Sequence, residues 1–209
     1  MQNSLSAPSR SFLERMDSSQ FPIPSPLVAA PPTMIQALVP LGATAGIVAI
    51  CAPHAQMDAS LTRTLIALAE QGERIAVIVA DNHFEADEIA RSVDGAHLKV
   101  ARGETPHQVR TLVRRLHATR AVYSVAVVVG LLEPFYDEQV KWTVGQHLLT
   151  DIFHLLNELA RTLRVLVVIT PPANLTRPYL KDHLLNTVDF YTELPALVSP
   201  TSSLQDRLF

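Results

Sequence analysis

The sequence predicts an α/β protein whose central, mostly parallel sheet is covered by helices on both faces. Four short segments are apolar throughout and rich in valine and isoleucine, which is typical of strands buried on both faces. Segments with a helical spacing of leucine and valine separate these runs, and such alternation favours parallel strands joined by helices. The chain of 209 residues is 48% hydrophobic and 18% charged, so it can bury the core of one such domain.

Each strand is predicted from a short apolar run, and each helix from periodic apolar residues bounded by glycine or proline. The predicted strands are 46–52, 75–80, 98–101, 123–130, 165–170 and 188–194. The predicted helices are 60–71, 84–91, 106–119, 137–162 and 179–186. The long helix is predicted to bury one stripe, made of Val140, Val144, Leu148, Ile152, Leu155 and Leu159.

The regions that flank these elements differ from them in composition. Residues 1–40 are rich in serine and hold seven of the 15 prolines, which predicts an arm without a regular helix or central strand. Residues 195–209 are again rich in serine, threonine and proline, and are predicted to be a flexible tail. The α/β domain is therefore assigned to residues 41–194.

Composition argues against several classes of protein. A net charge of −3 argues against a polycation for nucleic acid, and the single cysteine, Cys51, excludes disulfides within the chain and multi-cysteine metal sites.

No signal peptide is recognisable, so a cytoplasmic location is expected. Residues 33–52 carry no charge and are long enough to span a bilayer, but Pro40 and two glycines favour a loop and a strand. No membrane partner is expected.

The loop after the first strand is a natural ligand site, because parallel sheets bind ligands at the carboxyl ends of their strands. A phosphate loop there needs glycines, a lysine for the phosphates and a serine or threonine for the metal. Here residues 52–59 contain no glycine, and Asp58 stands where the lysine would be. The whole chain has seven glycines, about half of the usual share of about 7%.

In order and spacing, these segments resemble the ATPase core of the RecA/RadA recombinase family. GIVAICAPHAQMDASLTRTLIALAEQGERIAVIV is similar to that family's first strand, phosphate loop, first helix and second strand. DNHFEADEIAR resembles the segment with the catalytic carboxylate, which falls on Asp81. VAVVVGLLEPFYDEQV resembles the metal-binding strand, with Val129 at its aspartate and Gly130 at its serine. VLVVITPP resembles the last core strand, with Thr170-Pro171-Pro172 at the Thr-Asn-Gln sensor.

The resemblance implies a RecA-like three-layer sandwich with a degenerate nucleotide site. Pro53 and His54 fall in the phosphate loop, Asp58 replaces the lysine and Val129 replaces the metal-binding aspartate, so only Asp81 keeps its chemical type. Phosphoryl transfer without the lysine and the metal ligand lacks its main electrostatic stabilisers. The resemblance therefore implies an inactive pseudo-ATPase with no catalytic residue, no metal and no cofactor.

An enzyme of another class is the main alternative. Cys51, His54, Asp58, Asp81 and His83 are predicted near the carboxyl ends of the first two strands, where a thiol and imidazoles form metal or nucleophile sites in other proteins. Such an enzyme would use Cys51, His54 and Asp81. The spacing matches no familiar zinc or cysteine-hydrolase motif, and a cysteine at a strand end is also typical of a small core residue.

A basic segment surrounds the helix predicted at 106–119. Six basic residues against one acidic residue within 22 positions give a local charge of +5. They are Lys99, Arg102, Arg110, Arg114, Arg115 and Arg120, opposed by Glu104. Arg110 and Arg114 are four residues apart and so share a helix face. Arg110, Arg114 and Arg115 are candidates for DNA phosphate contacts, with a solvated helix face as the plainer interpretation.

The last five residues resemble the peptide with which bacterial polymerases and repair proteins bind the sliding clamp. Leu208 and Phe209 would fill an apolar pocket, and Gln205 would be the polar anchor. A RecA-like core with such a tail resembles the accessory proteins of bacterial translesion-synthesis cassettes, the ImuA/SulA-like group.

The resemblance implies a non-catalytic accessory or scaffold protein in DNA repair, recombination, translesion synthesis or the SOS response. Its expected partners are a polymerase complex or the sliding clamp and, through the basic segment, DNA. A structural subunit of a RecA-like ring or filament is the third hypothesis.

Overall fold

A computed structural model of the protein describes residues 46–81, 84, 91, 93, 95–171, 177 and 179–194. Within them, six strands form one parallel sheet in the order β3-β2-β4-β5-β1-β6, with helices packed on both faces. The predicted α/β fold with three layers is therefore confirmed. The predicted arm, the predicted tail and most of the helix predicted at 84–91 lie outside the described residues.

The bounds of the described strands follow the sequence pattern closely, whereas two of the helices begin five or six residues away from their predicted starts. The strands are β1 (Gly46–Cys51), β2 (Ile75–Val79), β3 (Leu98–Arg102), β4 (Val125–Val129), β5 (Arg164–Ile169) and β6 (Phe190–Glu193). The helices are α1 (His54–Glu70), α2 (Pro106–Ala118), α3 (Trp142–Ala160) and α4 (Tyr179–Leu185), with 3-10 turns at Arg120–Val122 and Glu133–Phe135. Every strand agrees with its predicted counterpart to within two residues at each end.

The central strands are apolar throughout because both of their faces are covered. Successive side chains of a strand point to opposite sides and so enter two separate core layers. In β1, Ile47, Ala49 and Cys51 pack with α2, α3 and α4, whereas Val48 and Ile50 pack with α1. We call these two sides of the sheet the α2–α4 face and the α1 face.

Helix α1 begins at His54, six residues before its predicted start at 60. Met57 and Leu61 lie four residues apart and are both fully buried, so the apolar stripe begins one turn earlier than the leucines alone indicate. Pro53 stands immediately before the helix. Proline is well tolerated at this place, because amides of the first turn have no partner within the helix.

Helix α3 begins at Trp142, five residues after its predicted start at 137. The preceding residues form a 3-10 turn and a loop, which the guanidinium group of Arg177 binds through two backbone carbonyls. Its Nη1 donates to Phe135 O at 2.6 Å, and its Nη2 donates to Val140 O at 3.1 Å. These tertiary bonds hold the loop in a non-helical path that no local sequence signal indicates.

The buried side of α3 is also broader than the predicted stripe. Leu148, Ile152 and Leu159 are buried as expected, but Val144 is 41% exposed. The further buried residues are Gly145, Leu149, Phe153, Leu156 and Ala160. Helix α3 contacts the sheet and α2 at once, and contact with two neighbours needs a wider apolar face than one stripe.

Candidate functional site

Residues that lie far apart in the sequence meet at the carboxyl edge of the sheet. His54 opens α1 and Asp81 follows β2, and their Nδ1 and Oδ2 atoms are 3.3 Å apart. The Asp81 side chain is 1% exposed and the His54 side chain 44%. Strands β4 and β5 lie between β1 and β2, so the start of α1 reaches across their ends to make this contact. The structure therefore brings together two of the residues that the resemblance indicated.

Gly130, directly after β4, approaches Asp81 more closely than any side chain would allow. A Cβ atom on Gly130 would lie 2.4 Å from the Cβ of Asp81, and the backbone φ angle of Gly130 is +67°. The strand ends are tied by Ala80 N donating to Val129 O at 2.8 Å and Gly130 N donating to Val168 O at 2.7 Å. Glycine is needed at this position on both steric and conformational grounds.

The other residues that the resemblance assigns to a degenerate nucleotide site are Pro53, which precedes α1, Asp58 on α1 and Val129 on β4. Pro53 is half-buried before α1, and Asp58 is half-buried in its second turn. Val129 is fully buried in the core of the α1 face and lies opposite Val79 and Val168 of the neighbouring strands. A valine offers no oxygen to a metal, and the carboxylate of Asp58 places negative charge near a helix start, where a phosphate would otherwise be favoured.

Cys51 does not join His54 and Asp81, so the three residues do not form the site that the enzyme hypothesis needs. Its side chain is 5% exposed and packs in the core of the α2–α4 face, opposite the face that α1 covers. Burial raises the pKa of the thiol, which disfavours the reactive thiolate. The sequence left open whether Cys51 is a reactive thiol or a small core residue, and its burial fits the small core residue.

Instead, Cys51 lies beside a polar cluster on β6 that sequence reasoning missed. The Tyr191 hydroxyl donates to Glu193 Oε1 at 2.5 Å, and Lys181 Nζ donates to the same oxygen at 2.8 Å. Glu193 lies opposite Cys51 in the register of β6 and β1. Hydrogen bonds from Lys181 and Tyr191 lower the pKa of Glu193. Burial, followed by the hydrogen bond to Glu193, raises the pKa of Tyr191 well above its ordinary value. Lys181 belongs to α4, so the cluster joins α4 to β6.

A second buried polar contact joins the carboxyl ends of β5 and β4. Thr170, at the position that resembles the family's sensor threonine, is 3% exposed. Its hydroxyl donates to Glu133 Oε1 at 2.5 Å. Glu133 was not among the predicted site residues. A signal for it exists in the sequence, since an acidic residue follows the apolar run of β4 by four positions.

The structure separates the three arginines that were candidates for DNA contacts. Arg110 forms an ion pair with Asp151 of α3, with 2.5 Å between Nη2 and Oδ2. Arg114 and Arg115 are exposed on α2. Arg110 is thus oriented toward the neighbouring helix α3. Its charge is paired with Asp151, although Arg110 was expected to share a helix face with Arg114.

Two other basic residues of the segment bind backbone carbonyls. The guanidinium groups of Arg102 and Arg120 donate to Phe84 O at 2.7 Å and His117 O at 2.9 Å. Arg102 and Arg120 remain exposed, so these hydrogen bonds do not remove their charge from the surface.

Several predicted site residues lie outside the described part of the chain. These are His83 and the clamp-binding candidates Gln205, Leu208 and Phe209. Among the residues that the structure describes, no group of three histidine, cysteine, aspartate or glutamate side chains is arranged to hold a metal ion.

No protein-family model matches the sequence, and no curated protein matches it either. Within the described ranges, no helix combines the length and apolar character needed to cross a membrane.

Proposed function

We propose that this protein is a non-catalytic, RecA-like accessory or scaffold protein of bacterial DNA repair, recombination or translesion synthesis, acting in the cytoplasm. The observation that carries the proposal is the chemistry of the sheet's carboxyl edge. There His54 contacts Asp81 at 3.3 Å, while Val129 is buried and Asp58 lies on the helix that follows the loop. The contact between His54 and Asp81 supports the resemblance, because it joins two positions that the resemblance indicated. Aspartate at position 58 and valine at position 129 support the loss of nucleotide turnover.

Residues 52–59 and Val129, at the same edge, do not supply the groups that ATP hydrolysis uses there. A triphosphate is bound by backbone amides of a glycine-rich loop, by a lysine and by a magnesium ion held on side-chain oxygens. Residues 52–59 provide no glycine and no lysine, and Val129 provides no metal ligand. The remaining carboxylate, Asp81, is turned to a contact with His54. Binding of partners, rather than turnover, is the function that this arrangement supports best.

An ATPase assay tests the loss of catalysis. We expect the purified chain to hydrolyse magnesium-ATP no faster than the buffer background, and Asp81→Asn to leave that rate unchanged. Glu158→Gln is the matched control, because Glu158 pairs with Arg161 at the far end of α3. A magnesium-dependent activity that Asp81→Asn abolishes and Glu158→Gln retains would contradict the proposal.

Binding to single-stranded DNA tests the basic segment. Arg114→Ala combined with Arg115→Ala is expected to weaken binding, and to reduce the slope of log affinity against log salt by about 0.7 for each lost phosphate contact. Arg63→Ala is the control, since Arg63 is an exposed arginine on α1, on the other face of the sheet. Fluorescence anisotropy of a labelled oligonucleotide across salt concentrations measures both quantities. An equal effect of the control would mean that the charge of α2 has no special role.

A pull-down with the sliding clamp tests the role of the tail. The intact chain is expected to retain the clamp, and the chain without residues 205–209 is expected to lose it. Retention that is equal for both chains would remove the clamp from the expected partners and leave the polymerase complex as the partner to test.

A further inference from the structure

A cavity of about 600 Å³ opens at the carboxyl ends of β2 and β4, beside the contact between His54 and Asp81. Its floor is made by Ala80 and Asp81 after β2, and its walls by the starts of α2 and α3 and the loop after β4. The volume falls within the range of about 300–1,000 Å³ that is usual for small-molecule sites. Of the residues that the resemblance assigns to a degenerate nucleotide site, Asp81 lines this cavity, whereas Pro53, His54, Asp58 and Val129 are not among its lining residues.

The cavity lies where the topology of the sheet opens a crevice. The connection that follows β2 contributes Phe84 and Val93 to the core of the α1 face. The connection that follows β4 contains α3, which packs on the α2–α4 face. Neighbouring strands β2 and β4 therefore send their chains to opposite sides, and parallel sheets bind ligands at such switch points.

The lining of the cavity combines negative charge with apolar surface. Four acidic residues, Asp81, Glu104, Glu133 and Asp137, and one lysine, Lys141, are among the lining residues that the structure describes. With His107 neutral, these groups carry a formal charge of −3. The apolar part is supplied by Pro106, Pro134, Val140, Val144 and Leu148. A concave site lined by one sign of charge attracts ligands of the opposite sign and repels phosphates.

The walls of the cavity are held in place by contacts outside it. The hydroxyl of buried Thr170 donates to Glu133 at 2.5 Å, which orients this carboxylate. Arg177 binds the carbonyls of Phe135 and Val140 and so fixes the loop between β4 and α3. A site whose side chains are already ordered loses less entropy when it binds a ligand.

We propose that this cavity binds a small organic cation, with a guanidinium or primary ammonium group on a short apolar body. The charged group is recognised by the carboxylates of Glu133 and Asp137, and the apolar body packs against Val144 and Leu148. A guanidinium group suits such a site, because it can donate two parallel hydrogen bonds to the oxygens of one carboxylate while a second carboxylate adds negative charge. This inference goes beyond the proposed function and does not depend on the RecA resemblance.

Calorimetric titration with matched probes tests the inference. Butylguanidinium is the cationic probe, and butylurea is its neutral counterpart of nearly the same shape. We expect butylguanidinium to bind the intact chain with a dissociation constant of about 1 mM or lower, and butylurea to bind at least about tenfold more weakly. Absence of butylguanidinium binding, or equal binding of both probes, would overturn the proposal, and so would preferential binding of ATP in competition with butylguanidinium.

Substitutions then locate the binding site. Asp137→Asn and Glu133→Gln keep the size of each side chain and an acceptor oxygen, and each is expected to weaken butylguanidinium binding at least about tenfold. Asp137 is exposed, so its variant tests the charge without disturbing the core. Glu158→Gln removes a carboxylate outside the cavity and is expected to bind like the parent chain. Unchanged binding in the Asp137 variant, or an equal loss in the Glu158 variant, would place the cation elsewhere.

Discussion

At the scale of single residues, Gly72 and Gly130 show two different reasons for a glycine, a positive φ angle and a lack of space for a Cβ atom. Gly72 and Gly130 both have positive φ angles, +80° and +67°. A Cβ on Gly72 would meet nothing within 4 Å, whereas a Cβ on Gly130 would lie 2.4 Å from Asp81. The first position requires glycine for its backbone conformation alone, and the second also for the close approach of β4 to Asp81.

This difference predicts two unequal losses of stability. Gly72→Ala is expected to lower the free energy of unfolding by about 1–2 kcal/mol, the cost of the left-handed conformation. Gly130→Ala is expected to lower it by roughly 3 kcal/mol or more, because the overlap with Asp81 is added. Urea unfolding of both variants measures the two losses. Equal losses would show that the Asp81 segment moves aside at little cost.

Thr170 carries a second prediction at this scale. Thr170→Val keeps the shape of the side chain but removes the donor to Glu133, and is expected to cost about 1–3 kcal/mol of stability. Thr170→Ser retains the hydroxyl and serves as the control. Denaturant titration of the two variants is the measurement, and a valine variant as stable as the serine variant would show that the hydrogen bond has no net effect.

At the scale of elements, α2 has a more complete N-terminal cap than α1 and α3. Thr105 Oγ1 accepts from Gln108 N at 3.3 Å, and Gln108 Oε1 accepts from Thr105 N at 3.2 Å. Pro106 occupies the first turn, where its ring suits the helix. By contrast, no side chain of the capping residue accepts a hydrogen bond from the first-turn amides of α1 or α3. Tertiary contacts such as those of Arg177 determine where α3 begins.

The hydrogen bond that caps α2 is therefore expected to contribute measurably to the free energy of unfolding. Thr105→Ala is expected to destabilise the protein by about 1 kcal/mol, since it leaves a first-turn amide without its acceptor. Thr111→Ala is the control, because Thr111 lies within the helix and its hydroxyl only donates to His107 O. Thermal or urea unfolding measures the difference, and a smaller loss for Thr105 than for Thr111 would contradict the capping interpretation.

At the scale of the whole molecule, one ion pair ties distant parts of the sheet. Glu73 precedes β2 and Arg164 begins β5, and their carboxylate and guanidinium groups are in direct contact although 91 residues separate them. Burial acts to raise the pKa of Glu73, but hydrogen bonds from Ser124 and Arg164 outweigh it and hold the pKa below its ordinary value.

A lowered pKa in the folded state gives a defined dependence on pH. The stability that this pair contributes is complete above the pKa of unfolded glutamate, near 4.5, and is lost as the pH falls through the lower folded value. Glu73→Gln is expected to cost about 1 kcal/mol or less at neutral pH, because the pair is partly exposed, and to cost progressively less in acid. Urea unfolding between about pH 7 and about pH 3 measures this, with Glu158→Gln as the control. A loss that does not shrink in acid would contradict the role of ionised Glu73.

The site could be predicted only in part. Apolar runs located the strand ends, and Asp81 was predicted as a site residue because it follows one of them and because the resemblance places the family's catalytic carboxylate there. Cys51 was expected to group with Asp81, but its side chain packs in the core of the α2–α4 face. Successive residues of a strand point to opposite faces, and the sequence does not tell which helices cover each face. The partner of Arg110, Asp151, was missed since the packing of α2 on α3 leaves no mark on either segment alone.

The sequence by itself determined the fold class and nearly all strand positions. An apolar run of five or six residues has few stable solutions other than a strand buried on both faces, and the intervening periodic segments must then cover the sheet. Only the tertiary structure decided the order of the strands and the contacts at their ends. The meeting of His54 with Asp81, the cavity beside them and the path of the loop held by Arg177 depend on chain crossings between distant segments. Local residue preferences carry no information on such crossings.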